Sequence, residues 1–121
     1  MEINYLLQRM ESYDGMTILT TNFEKSIDEA FKRRLRFRLH FPVPDAEQRT
    51  RLWRSMIPPE AAVSDDVRYE ALGKKFTLSG GNIKNAAVRA AFYAVEEGSV
   101  ITQALLERAA TAEAREMGRL I

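Results

Sequence analysis

Residues 32 to 38 read Lys32-Arg33-Arg34-Leu35-Arg36-Phe37-Arg38, five basic residues in seven. A guanidinium stays charged and offers a planar fork of donors, so such a run can spread the charge of a phosphate or track a polyanion backbone. A second candidate is Thr20-Thr21-Asn22, polar groups that end the β-branched stretch Met16-Thr17-Ile18-Leu19. Ligands of open α/β sheets collect at the C-terminal edge of strands, where these groups would stand. A third is Ser79-Gly80-Gly81-Asn82, a helix start with bare backbone. Asp28-Glu29 is less promising as a catalytic pair, because adjacent residues on a helix start face different directions and suit a cap near the positive end of the helix dipole.

Absences narrow the chemistry. The chain has no cysteine and a single histidine, His40. Disulfides, cysteine-based zinc sites and machinery built on several histidines are excluded. His40 falls on the polar side of its segment and reads as an exposed strand residue. No apolar run approaches the roughly 20 residues of a membrane span, and the start lacks the order of a signal peptide. A cytoplasmic location is the default expectation. The 18 basic residues nearly balance 17 acidic ones, so the basic run is local and does not reflect a general affinity for polyanions.

The elements that must position these residues follow from periodicity. Ile3, Leu6, Leu7 and Met10 have helical spacing, which stops at Ser12-Tyr13-Asp14-Gly15. Residues 16–22 are apolar on both faces of a pleat, the mark of a buried parallel strand. Ser26 with Glu29 predicts a short capped helix over 26–34. Residues 35–41 alternate Leu35, Phe37, Leu39 and Phe41 with Arg36, Arg38 and His40, the pattern of a half-buried strand. Pro42 and Pro44 form a stiff boundary. Beyond it, Asp45 and Gln48 predict a capping box for a helix whose inner face is Leu52, Trp53, Met56 and Ile57, with Trp53 and Met56 as core. A second helix is expected over 67–76. A third carries Ile83, Ala86, Ala87, Ala90, Ala91, Ala94 and Val95 and ends at Gly98, and a fourth is capped by Thr102 with Leu105, Ala109 and Ala112 inward. Residues 1–44 read as part of an α/β layer and residues 45–121 as a helical bundle.

The order of these features resembles the AAA family of ATPases. It runs from a strand ending Thr20-Thr21-Asn22, through Ile27-Asp28-Glu29-Ala30-Phe31 and Arg33-Arg34, to a second strand, Phe41-Pro42-Val43-Pro44-Asp45, and a bundle with Ser79-Gly80-Gly81-Asn82-Ile83-Lys84. The resemblance covers nearly the whole chain and is to the C-terminal half of one module. It implies an α/β fragment plus an all-α lid: a partial P-loop NTPase sheet of two strands and short helices over 1–44, including the second region of homology, then a four-helix lid over 45–121. Asn22 matches the sensor 1 position, whose amide can orient the attacking water; its other reading is a strand-end asparagine capping a turn. Arg33 and Arg34 match the paired arginine fingers that reach into the neighbouring protomer. Gly80 and Gly81 match the lid glycines that let backbone approach adenine, or else simply relieve crowding at a helix start. Asn82 and Lys84 stand near the place where other clades carry a sensor 2 arginine, and Arg89 lies two turns on, so no sensor 2 residue is assigned.

The resemblance further implies a parent enzyme, a homo-oligomeric ring that is hexameric in family terms, that uses ATP and Mg2+ to remodel a macromolecule. A P-loop requires Gly, four residues, then Gly-Lys-Ser/Thr. The only Gly-Lys, Gly73-Lys74, is followed by Lys75, and Arg68 stands where the first glycine should be. No Walker A is present, and no apolar strand leads into an Asp-Glu pair to serve as Walker B. This chain, half of a module of about 250 residues in family terms, is therefore expected neither to hydrolyse ATP alone nor to bind it tightly. Without the missing strands, residues 1–44 are expected to pair abnormally, swap between copies or order poorly. Two alternatives are a non-enzymatic nucleic-acid-binding module using 32–38, and a helical protein-interaction module; the first is disfavoured because Arg36 and Arg38 suit the outward face of a strand.

Overall fold

The computed structural model describes residues 2–21 and 29–118. The chain divides into two units, Met1–Phe41 and Pro42–Ile121.

The first unit contains α1 (Glu2–Glu11) and the single turn α2 (Glu29–Lys32). The two-stranded sheet expected here is not formed. Among the described residues the only β-type pairing is an isolated bridge, Val63 to Ile101, in the other unit. Residues 16–21 and 37–41 have no regular secondary structure, and Met16, Ile18, Phe37, Leu39 and Phe41 are each about four-fifths or more exposed. The physical reason is that a period-two pattern expresses only the capacity to pair. A strand is held by its ladder and by a covered apolar face, and neither is supplied here. The helix expected over 26–34 is confined, in its described part, to α2, while residues 26–28 lie outside the described residues.

The second unit is all-helical: α3 (Ala46–Met56), α4 (Tyr69–Lys75), α5 (Gly80–Glu97) and α6 (Gln103–Glu116). Its boundaries follow from local chemistry. The Asp45 carboxylate accepts from the Gln48 amide at 2.8 Å, and the Gln48 side chain accepts from the Asp45 amide at 2.9 Å. This reciprocal capping box satisfies two donors that the helix start would otherwise orphan. Ser79 and Thr102 cap α5 and α6 through their hydroxyls. Gly98 closes α5 with φ +62°, a left-handed conformation that glycine adopts without a Cβ penalty.

α4 begins two residues later than its apolar pattern predicts. The segment before it is held by α6 instead: the Arg68 amide donates to the Gln103 side chain at 2.9 Å, and the Gln103 amide donates to Asp66 at 3.3 Å. Each helix start thus borrows a cap from the other, an exchange between residues more than thirty apart.

The core is led by Trp53, Phe76, Leu72, Leu78, Ile83 and Leu106, all fully buried, with Met56 partly buried against it. α3 packs on α4 and on α5, and α5 packs on α6. The alanine face of α5 is buried at Ala86, Ala87, Ala90 and Ala94. Val95, expected on that face, is instead 78% exposed. It sits one step, about 100°, around the helix from Ala94.

Candidate functional site

The basic run lies in the first unit. Arg33 and Arg34 occupy the turn that ends α2, where the Arg33 amide donates to the Glu29 carbonyl at 3.3 Å. Both are exposed. Arg34 forms an ion pair with Glu11, whereas Arg33 makes no ion pair among the described residues. Arg36, Arg38 and His40 are exposed beyond them. Asn22 lies outside the described residues.

Gly80 and Gly81 lie in the second unit, in the first turn of α5 after the Ser79 cap. Neither is required by packing among the described residues. A Cβ on Gly80 would meet nothing nearer than Leu52 Cδ1 at 3.8 Å, and one on Gly81 nothing nearer than Ser79 Oγ at 3.9 Å. Relief of crowding therefore does not explain them. Because glycine in a helix costs up to about 1 kcal/mol relative to alanine, Gly80→Ala and Gly81→Ala are expected to leave the thermal midpoint of the chain unchanged or raise it. Calorimetry would check this, and a lowered midpoint would show a structural need that the geometry does not reveal.

Sequence periodicity did not reveal a polar seam between α5 and α6. Glu113 is 4% exposed although charged. Its carboxylate accepts from Arg89 Nε at 2.8 Å and from Asn82 Nδ2 at 3.3 Å, and Arg89 also pairs with Glu116. Only the spacing of Glu113 from Ala110 and Ala109, three and four residues earlier on the same helix face, could have marked it as inward. Burial by itself would push the Glu113 carboxyl up. Hydrogen bonds from Arg89, Asn82 and Asn85, with the Arg89 charge, outweigh it and hold the group below the ordinary glutamate value. Side-chain hydrogen bonds with Glu113 first, then Glu116 and Tyr93, raise Arg89 in turn. Arg89 is thereby committed inside the unit, beside an open groove of about 390 Å³ lined by Lys84, Asn85, Val88 and Phe92.

This seam sets a pH dependence. A carboxyl whose folded value is depressed stabilises the fold fully above its unfolded value, near about 4.3, and that stabilisation is lost as pH falls through the lowered folded value. Thermal midpoints should fall below about pH 4.3 more steeply for the wild type than for Glu113→Gln. Parallel profiles would remove Glu113 as the group responsible.

Among the described residues no cluster of histidine or carboxylate side chains could hold a metal ion, and no helix is long and apolar enough to cross a membrane. No family model matches the chain. Over 81 residues, 66% of its length, it is 33% identical to the A1 form of the katanin p60 ATPase-containing subunit of Strongylocentrotus purpuratus. Over a span of the same size it is 35% identical to the A-like 1 form of that katanin protein from Oryctolagus cuniculus and 33% identical to the A-like 1 form from Homo sapiens. The matched stretch spans 16% of each relative's own length.

Proposed function

We propose that this chain is a segment of an AAA-type ATPase, in which residues 1–44 correspond by sequence to the end of the large subdomain and residues 45–121 form the helical lid. The observation that carries the proposal is the 33–35% identity to three katanin ATPase proteins over two-thirds of the chain. The order of motifs along the sequence agrees with it.

In the parent enzyme, ATP and Mg2+ would be held by Walker motifs that this sequence does not contain. Residues of this chain would act on the nucleotide from two sides. Arg33 and Arg34 would enter the site of the neighbouring protomer in a homo-oligomeric ring and spread the charge of the transferring phosphoryl group. Their exposure, and the lack of an ion-pair partner for Arg33 among the described residues, leave them available for that contact. The amide of Asn22 would orient the attacking water. Gly80 and Gly81 would let the start of α5 lie against the adenine, a role supported by the lack of any packing need for glycine there. The work of the ring would be remodelling of a macromolecule.

The test compares the chain with its full-length parent. The parent should hydrolyse ATP, and residues 1–121 alone should show no turnover above buffer. An inactive parent would overturn the ATPase reading, and turnover by the isolated chain would overturn the division of labour.

A further inference from the structure

Arg49 is a buried cation without a carboxylate partner among the described residues. It is 8% exposed. Nε donates to the Gly73 carbonyl at 2.8 Å and Nη1 donates to the Pro44 carbonyl at 2.7 Å. Gly73 lies in the last turn of α4, whose carbonyls carry the negative end of the helix dipole. The guanidinium is therefore held by carbonyl oxygens from two separate segments, which its planar fork of donors meets from two different nitrogens in a fixed geometry.

The two segments have different roles. Pro44 belongs to the connector, residues 42–45, with which the helical unit begins. Pro42 and Pro44 fix φ at two of its positions and remove two backbone donors, and Asp45 is fixed by the capping box. Gly73 marks a backbone-to-backbone approach of α3 and α4: a Cβ there would collide with Thr50 Oγ1 and lie 2.7 Å from the Ala46 carbonyl oxygen. One turn along α3 from Arg49, Leu52 reaches to 3.8 Å from the Cβ position of Gly80. α3 thus touches the connector through Arg49 and the start of α5 through Leu52.

We propose that Arg49 is a positioning residue that makes the connector a rigid extension of α3. A displacement imposed at Gly80 and Gly81 is then carried to Pro44 by one helix and is not absorbed in the linker. The mechanical part stands on the clamp alone; its use in coupling nucleotide to motion rests on the ATPase reading.

The experiment is 15N relaxation on the chain and its Arg49→Met variant. The Val43 side chain is 71% exposed, so its own packing does not order the connector. In the wild type, the Val43 amide should have an order parameter near the rigid value of about 0.85, and the variant should fall below about 0.6 while α5 and α6 keep theirs. Where Arg49→Met fails to fold, Arg49→Lys provides the same readout. A Val43 that stays rigid, or a loss of order spread evenly over the unit, overturns the clamp. In the full-length ATPase, Arg49→Met should lower kcat by up to about a hundredfold with ATP binding unchanged. An unchanged kcat beside a loosened Val43 overturns the coupling, whereas a wild-type parent without ATPase activity overturns the reading beneath it and leaves the clamp standing.

Discussion

Replacing Arg33 or Arg34 by alanine in the full-length parent is expected, on the ATPase reading proposed above, to lower turnover by about 10³–10⁵-fold, the range supplied by an arginine finger, while leaving ATP binding within a few-fold. The transition state of phosphoryl transfer places charge on oxygens that a guanidinium can meet with two parallel donors. Arg33→Lys should not restore the rate, because an ammonium is a point charge without that fork. The substitutions should be nearly silent for folding. Arg33 makes no ion pair among the described residues, and the exposed Arg34 pair with Glu11 is of a kind worth about 0–1 kcal/mol. Stability can therefore be held fixed while turnover is read. Mixing Arg33→Ala protomers with protomers whose own nucleotide site is disabled provides the sharper test: action across an interface restores turnover at Arg33→Ala sites that have a neighbour with its arginine intact, whereas action within one protomer restores none. Equal losses of binding and turnover, or a loss below tenfold, would remove the residues from this role.

The second large effect concerns the fold. Trp53→Ala should destabilise the helical unit by about 3–5 kcal/mol, the usual cost of emptying a fully buried aromatic position. Trp53 is fully buried and is the largest member of the core that α3, α4, α5 and α6 share. A unit of this size is stable by about 4–12 kcal/mol, so the variant is left near the threshold of folding. Thermal unfolding followed by far-ultraviolet circular dichroism should show a midpoint lowered by more than about 10 °C. A shift under about 5 °C would mean that the neighbouring helices collapse onto the vacated space.

How much could be read from sequence depended on the distance over which each feature is determined. The capping box at Asp45, the hydroxyl caps at Ser79 and Thr102, and the left-handed Gly98 are decided within four residues, and each stands where its local signal places it. The strands expected over 16–22 and 35–41 are decided by partners elsewhere, and their alternation carries no information about whether a ladder is available. α4 starts late because Gln103 and Asp66 meet across the bundle, which no periodicity encodes. Arg49 and Glu113 look like surface residues by type, and only the packing of α3 on α4 and of α5 on α6 shows that they are inside. The glycines at 80 and 81 are a different case: the residue type was legible, and the structure removed crowding as its explanation.

The clasp around Ile101 has a kinetic consequence. The Ile101 amide donates to the Ala62 carbonyl at 3.0 Å, and the Ser64 amide donates to the Ile101 carbonyl at 2.8 Å. α3 with α4, and α5 with α6, are each hairpins of neighbours in sequence, and pairings of that kind close quickly. Among the described residues the clasp is the main-chain link between those hairpins, and its closure must wait until a loop of nearly forty residues has been brought round. Docking of the two hairpins, and not the winding of any helix, is therefore expected to be the slow step in the folding of the helical unit.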